Sequence, residues 1–172
     1  MRATLLLAAF VGGLGALPAS AIAAQDNDGL PAPDEIAAID SCLEQAIKDK
    51  QEFKSCVGKA IPICIEKQIP GTVFDCQRRE TEIWRRKLEA IDAEIRAHVP
   101  AKVDKEFREA ARAWAAYVEK KCTLIYVFNR GSTGDLKAEH GCRLEETARR
   151  MAEQWGWRDW LKERDWFKDS RR

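Results

Sequence analysis

Residues 73–98 read VFDCQRRETEIWRRKLEAIDAEIRAH, and their apolar members Trp84, Leu88, Ile91 and Ile95 recur at three- and four-residue steps. That period is helical. The residues between them, Glu80, Glu82, Arg85, Arg86, Lys87, Glu89 and Glu94, are assigned to the opposite, solvated side. Pro100 ends this helix, and Phe107, Ala111, Trp114, Val118, Cys122 and Ile125 step down one face of the next. Upstream, Ile36, Ile39, Leu43 and Ile47 form a comparable stripe beginning at Glu35. A short helix is expected over about residues 52–68, carrying Phe53, Cys56, Val57, Ala60 and Cys64. Pro62 kinks or splits it, and Pro70-Gly71 turns the chain. Residues 129–135 (NRGSTGD) read as a loop, and residues 136–154 as a fifth helix. Few stretches alternate with period two. Thr123 to Phe128 is β-prone but reads as a helix end. The expected fold is therefore all-α, a small bundle of about five helices.

The ends set the compartment. Arg2 precedes an apolar run from Leu5 to Leu17, and Ala19-Ser20-Ala21 and Ala21-Ile22-Ala23 fit a small-x-small cleavage site. Residues 1–24 thus read as a signal peptide, too short and glycine-rich for a comfortable membrane span. The expected protein is periplasmic or secreted after cleavage, with no membrane span in its mature part. Residues 25–34 (QDNDGLPAPD) read as a flexible linker, 35–154 as the helical domain, and 155–172 as a tryptophan-rich C-terminal helix or tail. Removing Arg2 from the 29 basic residues leaves 28, against 28 acidic ones. That balance excludes the concentrated basic footprint nucleic acid requires. The acidic stretch Asp26, Asp28, Asp34, Glu35, Asp40, Glu44 reads as a solvated face.

All six cysteines, Cys42, Cys56, Cys64, Cys76, Cys122 and Cys142, lie in the exported part and read as three disulfides. Spacing alone leaves their connectivity open. Pairing of chain neighbours is the simplest expectation: Cys42–Cys56, Cys64–Cys76 and Cys122–Cys142. The last closes a loop of about 20 residues, worth roughly 3 kcal/mol in the chain-entropy account. No CxxC pair occurs, and His98 and His140 lack zinc-ligand spacing, so neither a metal nor another cofactor is expected. Ser132 has no GxSxG context, and proximity of His140 along the chain does not make a Ser/His pair. No catalytic residue is assigned, and an enzyme is not expected.

Several spacings carry a resemblance. Cys76-x3-Glu80-x3-Trp84-x3-Leu88 occupies one helical face. Trp114-x2-Tyr117-x4-Cys122 follows, then a Gly/Ser loop and Cys142-x4-Thr147-x2-Arg150. With Cys56-Val57-Gly58 and Cys64, this resembles the lysozyme inhibitor LprI-like family of secreted bacterial domains over about residues 42–151. The resemblance implies a helical bundle outside the cytoplasm and a protein partner, a lysozyme-like muramidase. It also implies structural roles: Trp84 and Trp114 as core anchors, Cys122–Cys142 as a staple, and Glu80 with Arg150 as a partly buried ion pair. Two surfaces are candidates for the partner. One is the loop, whose Asn129, Arg130, Ser132 and Thr133 are donors suited to a glycosidase's carboxylates. The other is the tail, where Trp157, Trp160 and Trp166 either pack on the bundle as a terminal helix or offer aromatic anchors, in which case the alternative function is a non-catalytic envelope adaptor or structural module docking through it. Oligomeric state is left open.

Overall fold

The computed structural model describes residues 29–67, 73–128, 132–164 and 166. The expected signal segment, the first linker residues, the Pro70-Gly71 turn, and loop residues Asn129 and Arg130 lie outside the described residues. Five α-helices follow one another: α1 Pro33–Asp49, α2 Ile61–Glu66, α3 Val73–Arg96, α4 Ala101–Phe128 and α5 Thr133–Glu163. A 3-10 turn, Phe53–Cys56, stands between α1 and α2. Among the described residues there is no strand.

The long helices are placed by their stripes. α3 buries Ile83, Trp84, Leu88, Ile91 and Ile95, and α5 buries Leu144, Ala148, Met151 and Leu161; these two helices pack along each other to make the core. At Gly141 a Cβ would sit 3.2 Å from Gln77 Nε2, so this position holds α5 tightly against α3. α1 adds Ile39, Leu43 and Ala46. Ile47 was expected in that stripe but is 45% exposed. The helix ends two residues later at Asp49, capped by a left-handed Lys50, and Ala46 takes the inward position.

The predicted helix over 52–68 is split, with Pro62 in the first turn of α2. A missing N–H costs nothing there, because first-turn amides have no intrahelical acceptor. Gly58 adopts φ +89° between the two pieces, a conformation side chains disfavour. The disulfides join chain neighbours: Cys42–Cys56 ties the 3-10 turn to α1, Cys64–Cys76 ties α2 to α3, and Cys122–Cys142 ties α4 to α5. Thr123 to Phe128 is helical, as expected.

α5 departs from the sequence reading at both ends. It starts at Thr133, because Ser132 caps it and Asp135 Oδ2 accepts the Ser132 N–H at 2.7 Å. Thr133 to Asp135 are therefore helical rather than loop. It also runs unbroken past Gln154 and Gly156 to Glu163. Tertiary contacts outweigh the roughly 1 kcal/mol a helical glycine costs. Trp155 meets Phe53 edge-on with centroids 5.4 Å apart, the Arg158 guanidinium lies 3.7 Å over its ring, and Leu161 is buried.

Candidate binding surfaces

Of the acidic stretch, Asp34 and Glu44 are exposed and Asp40 half-exposed, as expected of a solvated face; Glu35 is the exception, and Asp26 and Asp28 lie outside the described residues. Glu35 is fully buried and receives Arg79 Nε and Nη2, each at 3.1 Å, together with the Ala32 N–H. Asp34 pairs with Lys67 and Asp40 with Lys87. The buried Glu35–Arg79 pair thus joins α1 to α3 by charge as well as by apolar contact, while the two outer pairs remain solvent-exposed.

Glu80 also departs from the sequence reading. It lies on the inward face of α3, is 0% exposed, and does not pair with Arg150. Its carboxylate accepts the Gly58 N–H at 2.6 Å, the Ala60 N–H at 3.0 Å and Trp84 Nε1–H at 3.1 Å. The amides between the 3-10 turn and α2 cannot reach a helical partner, and Glu80 supplies one. Arg150 instead lies 5.9 Å over the Trp114 ring and bonds Glu153 at 3.2 Å. Thr147 is buried, its hydroxyl donating to the Arg143 carbonyl at 2.8 Å, and Leu88 is in the core. Trp84 is completely buried, whereas Trp114 packs half-buried against the core. Tyr117 points outward, 53% exposed, with the Lys121 ammonium 5.7 Å from its centroid.

Trp114 Nε1 and Asp92 Oδ1 are both buried without a hydrogen-bond partner among the described residues. Burial pushes the Asp92 carboxyl up to about 6, against the pull of Arg150 and Arg96 and with a small push from Glu89. A carboxyl raised on folding makes the native chain take up a proton, so this group's contribution to stability improves as pH falls through 6. Asp92→Asn is expected to stabilise the protein at pH 7.5 by about 1–2 kcal/mol, and to flatten the stability change between pH 7.5 and 5. Thermal unfolding of both proteins at the two pH values checks this; an unchanged pH slope in the variant would sink the assignment.

The two candidate surfaces are placed as follows. At the α4 end of the α4–α5 hairpin, Val127 is 61% and Phe128 77% exposed, about one and a half turns beyond Cys122 of the Cys122–Cys142 staple. Ser132 and Thr133 open α5 directly across from them in sequence, the Ser132 hydroxyl bonding Asp135. At the other end of α5, Trp157 and Trp160 are exposed and meet edge-to-face with centroids 5.7 Å apart; the Arg164 guanidinium lies 4.4 Å over Trp160. Trp166 is different: it packs half-buried against the core. A groove of about 380 Å³ runs beneath these tryptophans, walled by Val103, Phe107, Ala110 and Leu161. The exposed apolar tip had a signal in the sequence, because Val127-Phe128 continue α4 off its core stripe.

Ser132 and His140 are each committed elsewhere, the His140 ring stacking on Phe74 at 5.8 Å. Among the described residues no His/Cys/Asp/Glu cluster suits a metal ion, and no helix is long and apolar enough to cross a membrane.

Five helices, three staples and exposed aromatics at both ends of one hairpin define a small disulfide-bonded all-α domain of a kind suited to an oxidising compartment. Residues 64–153, more than half of the chain, match the family described as lysozyme inhibitor LprI, and the chain belongs to that family. It is similar to a Rhodobacter capsulatus protein described as "Uncharacterized 17.7 kDa protein in puhA 5'region". The two are 27% identical over 124 residues, 62% of this chain and 76% of that protein. No solved structure matches the chain.

Proposed function

We propose that this protein is an exported inhibitor that binds a lysozyme-like muramidase and blocks its cleft with the tip of the α4–α5 hairpin. Family membership supports the class of activity, and the leader-like residues 1–24 support export to a periplasm or the exterior. The observation that carries the choice of surface is the exposure of Val127 and Phe128 beside a disulfide. Two large apolar side chains at a helix end are unfavourable in water and gain by entering a partner's pocket. The staple and the Ser132 cap order both flanks of the tip beforehand, which lowers the entropy cost of binding. Asn129 and Arg130 then supply donors for the acidic residues of a glycosidase cleft.

Titration of oxidised residues 25–172 into c-type lysozyme digesting a cell-wall suspension tests the reading, with a reduced and alkylated sample as control. Stoichiometric inhibition lost on reduction is expected. Phe128→Ser and Arg130→Ala are each expected to weaken inhibition by roughly tenfold or more with Tm unchanged, the range for an interface anchor. Inhibition with unchanged potency in both variants removes the tip from the reading; no inhibition removes the inhibitor.

A second reading is an envelope module docking through Trp157 and Trp160, favoured by their exposure at 52% and 40%. Truncation after Gln154 does not test it, because it takes Leu161 from the core. The Trp157→Ala/Trp160→Ala double variant, which leaves the core intact, does.

A further inference from the structure

The groove between the start of α4 and the end of α5 is graded in polarity along its length. The α5 face that lines it carries Arg150, Gln154, Trp157 and Leu161, at steps of four, three and four residues. Charge gives way to an amide and then to apolar side chains over about 16 Å, the rise of eleven helical residues. α4 runs the other way and faces it with Ala110, Phe107 and Val103. Ala110, the smallest of these, stands toward the Arg150 end, because Arg150 lies over Trp114 in the next turn of α4.

Among the described residues that line the groove, Arg150 carries the only charge. Gln154, 1% exposed, fixes that cation: with its amide oxygen turned to the guanidinium it accepts from Nη2 at 2.8 Å and from Nε at 3.1 Å. Glu153 takes a third N–H from outside the groove and is shared with Arg149. Two of the five guanidinium N–H groups are left for a ligand. The wider depression of about 880 Å³ over the 3-10 turn and α5 makes no such selection, since Glu52, Lys54, Glu145 and Arg149 rim it with both signs.

We propose that the groove binds a single-chain amphiphilic carboxylate, a fatty acid, with its head at Arg150 and its chain laid along Trp157 and Leu161 toward Val103. The charge chooses the head. A guanidinium held at one end of an apolar cleft bonds a carboxylate strongly and repels a cation. The length chooses the body, because the apolar part of the groove is long and narrow rather than round. A chain lying there covers Trp157, Trp160 and Val103, which are 52%, 40% and 38% exposed, and removes apolar area from water. The volume of about 380 Å³ is within the range of small-molecule sites. The groove lies at the opposite end of the α4–α5 hairpin from Val127 and Phe128, so the inference does not depend on what the tip binds.

Isothermal titration calorimetry of the oxidised protein with sodium decanoate, kept below its micelle concentration, tests the proposal. Decyltrimethylammonium, with the same chain and the opposite charge, is the control. Decanoate is expected to fill a single saturable site with a dissociation constant below about 1 mM, and the cation to bind at least about tenfold more weakly. Ala110→Phe places a ring at the head end of the groove from an exposed helical position. It is expected to weaken decanoate by at least about tenfold with Tm unchanged. Absence of saturable decanoate binding overturns the proposal. Equal affinity for the two amphiphiles also overturns it, because the contact is then apolar adsorption without a part for Arg150. Unchanged decanoate affinity in the folded Ala110→Phe variant places the ligand elsewhere and overturns it too.

Discussion

Glu80→Ala is expected to destabilise the oxidised protein by roughly 3–5 kcal/mol and to lower its Tm by on the order of 10 °C. The side chain is fully buried, and its two oxygens serve three donors on separate parts of the chain: the Gly58 and Ala60 amides and the Trp84 indole. Alanine leaves all three donors in the core without an acceptor, and each orphaned group costs about 1–3 kcal/mol. It also leaves a cavity beside Trp84, the largest fully buried side chain. The loss falls where Gly58 holds its positive φ, so the 3-10 turn and α2 should loosen first. Glu80→Gln provides a graded comparison. It keeps the volume and one carbonyl acceptor but turns an NH2 toward the remaining donors, so it should fall between wild type and alanine. Urea unfolding of the three proteins measures the series. An alanine variant within 1 kcal/mol of wild type would show that water replaces the carboxylate and that the cluster does not hold the turn.

The second large effect belongs to the pair Glu35–Arg79, which joins α1 to α3. The side-chain exposures are 0% and 4%, and two N–H···O bonds of 3.1 Å link them. A buried pair is weak evidence of net stabilisation, because desolvating both ions offsets much of their attraction; removal of one partner is another matter. Glu35→Ala strands a guanidinium whose Nη1 already has no partner among the described residues. It also deprives the Ala32 N–H of its acceptor at the start of α1. The expected loss is about 3–5 kcal/mol. Arg79→Ala should cost less, since Glu35 retains the Ala32 amide. The Glu35→Leu/Arg79→Met double variant removes both charges and fills the space, and it should recover most of the loss. A double variant as unstable as Glu35→Ala would mean that the pair contributes geometry an apolar contact cannot replace. Either way, the three variants separate the cost of an orphaned charge from the worth of the pair.

Glu80 carries a structural role in the sequence reading and Glu35 a solvated one; the actual partners of both escape the sequence for the same physical reason. Glu80 sits among charged neighbours in a run that reads QRRETE, and its acceptor role depends on amides more than twenty positions upstream or nearly so, 22 for Gly58 and 20 for Ala60. Glu35 belongs to an acidic stretch without a basic residue, and its partner is 44 positions away. Periodicity places a residue on a helix face; it cannot identify what another segment brings to that face. The Glu80–Arg150 pairing failed similarly, because two residues of one motif occupy different interfaces of the bundle. Ser132 and Asp135 were legible in principle: Ser-x-x-Asp ahead of a helical run is a capping pattern. Its glycine-rich surroundings read as loop.

What the sequence determined by itself is local. Apolar residues every three or four positions made α1, α3, α4 and α5, and prolines at 33, 62 and 100 mark where helices begin. Six closely spaced cysteines joined as chain neighbours, because a short loop brings its ends together at small entropic cost. The tertiary structure decided which of those residues are buried, which charges are paired, and how far α5 runs. Trp155, Trp157, Trp160 and Trp166 look alike in sequence, yet Trp155 and Trp166 pack inward while the other two face water. Burial is set by the segments that arrive from elsewhere in the chain, and a single helix carries no information about their arrival.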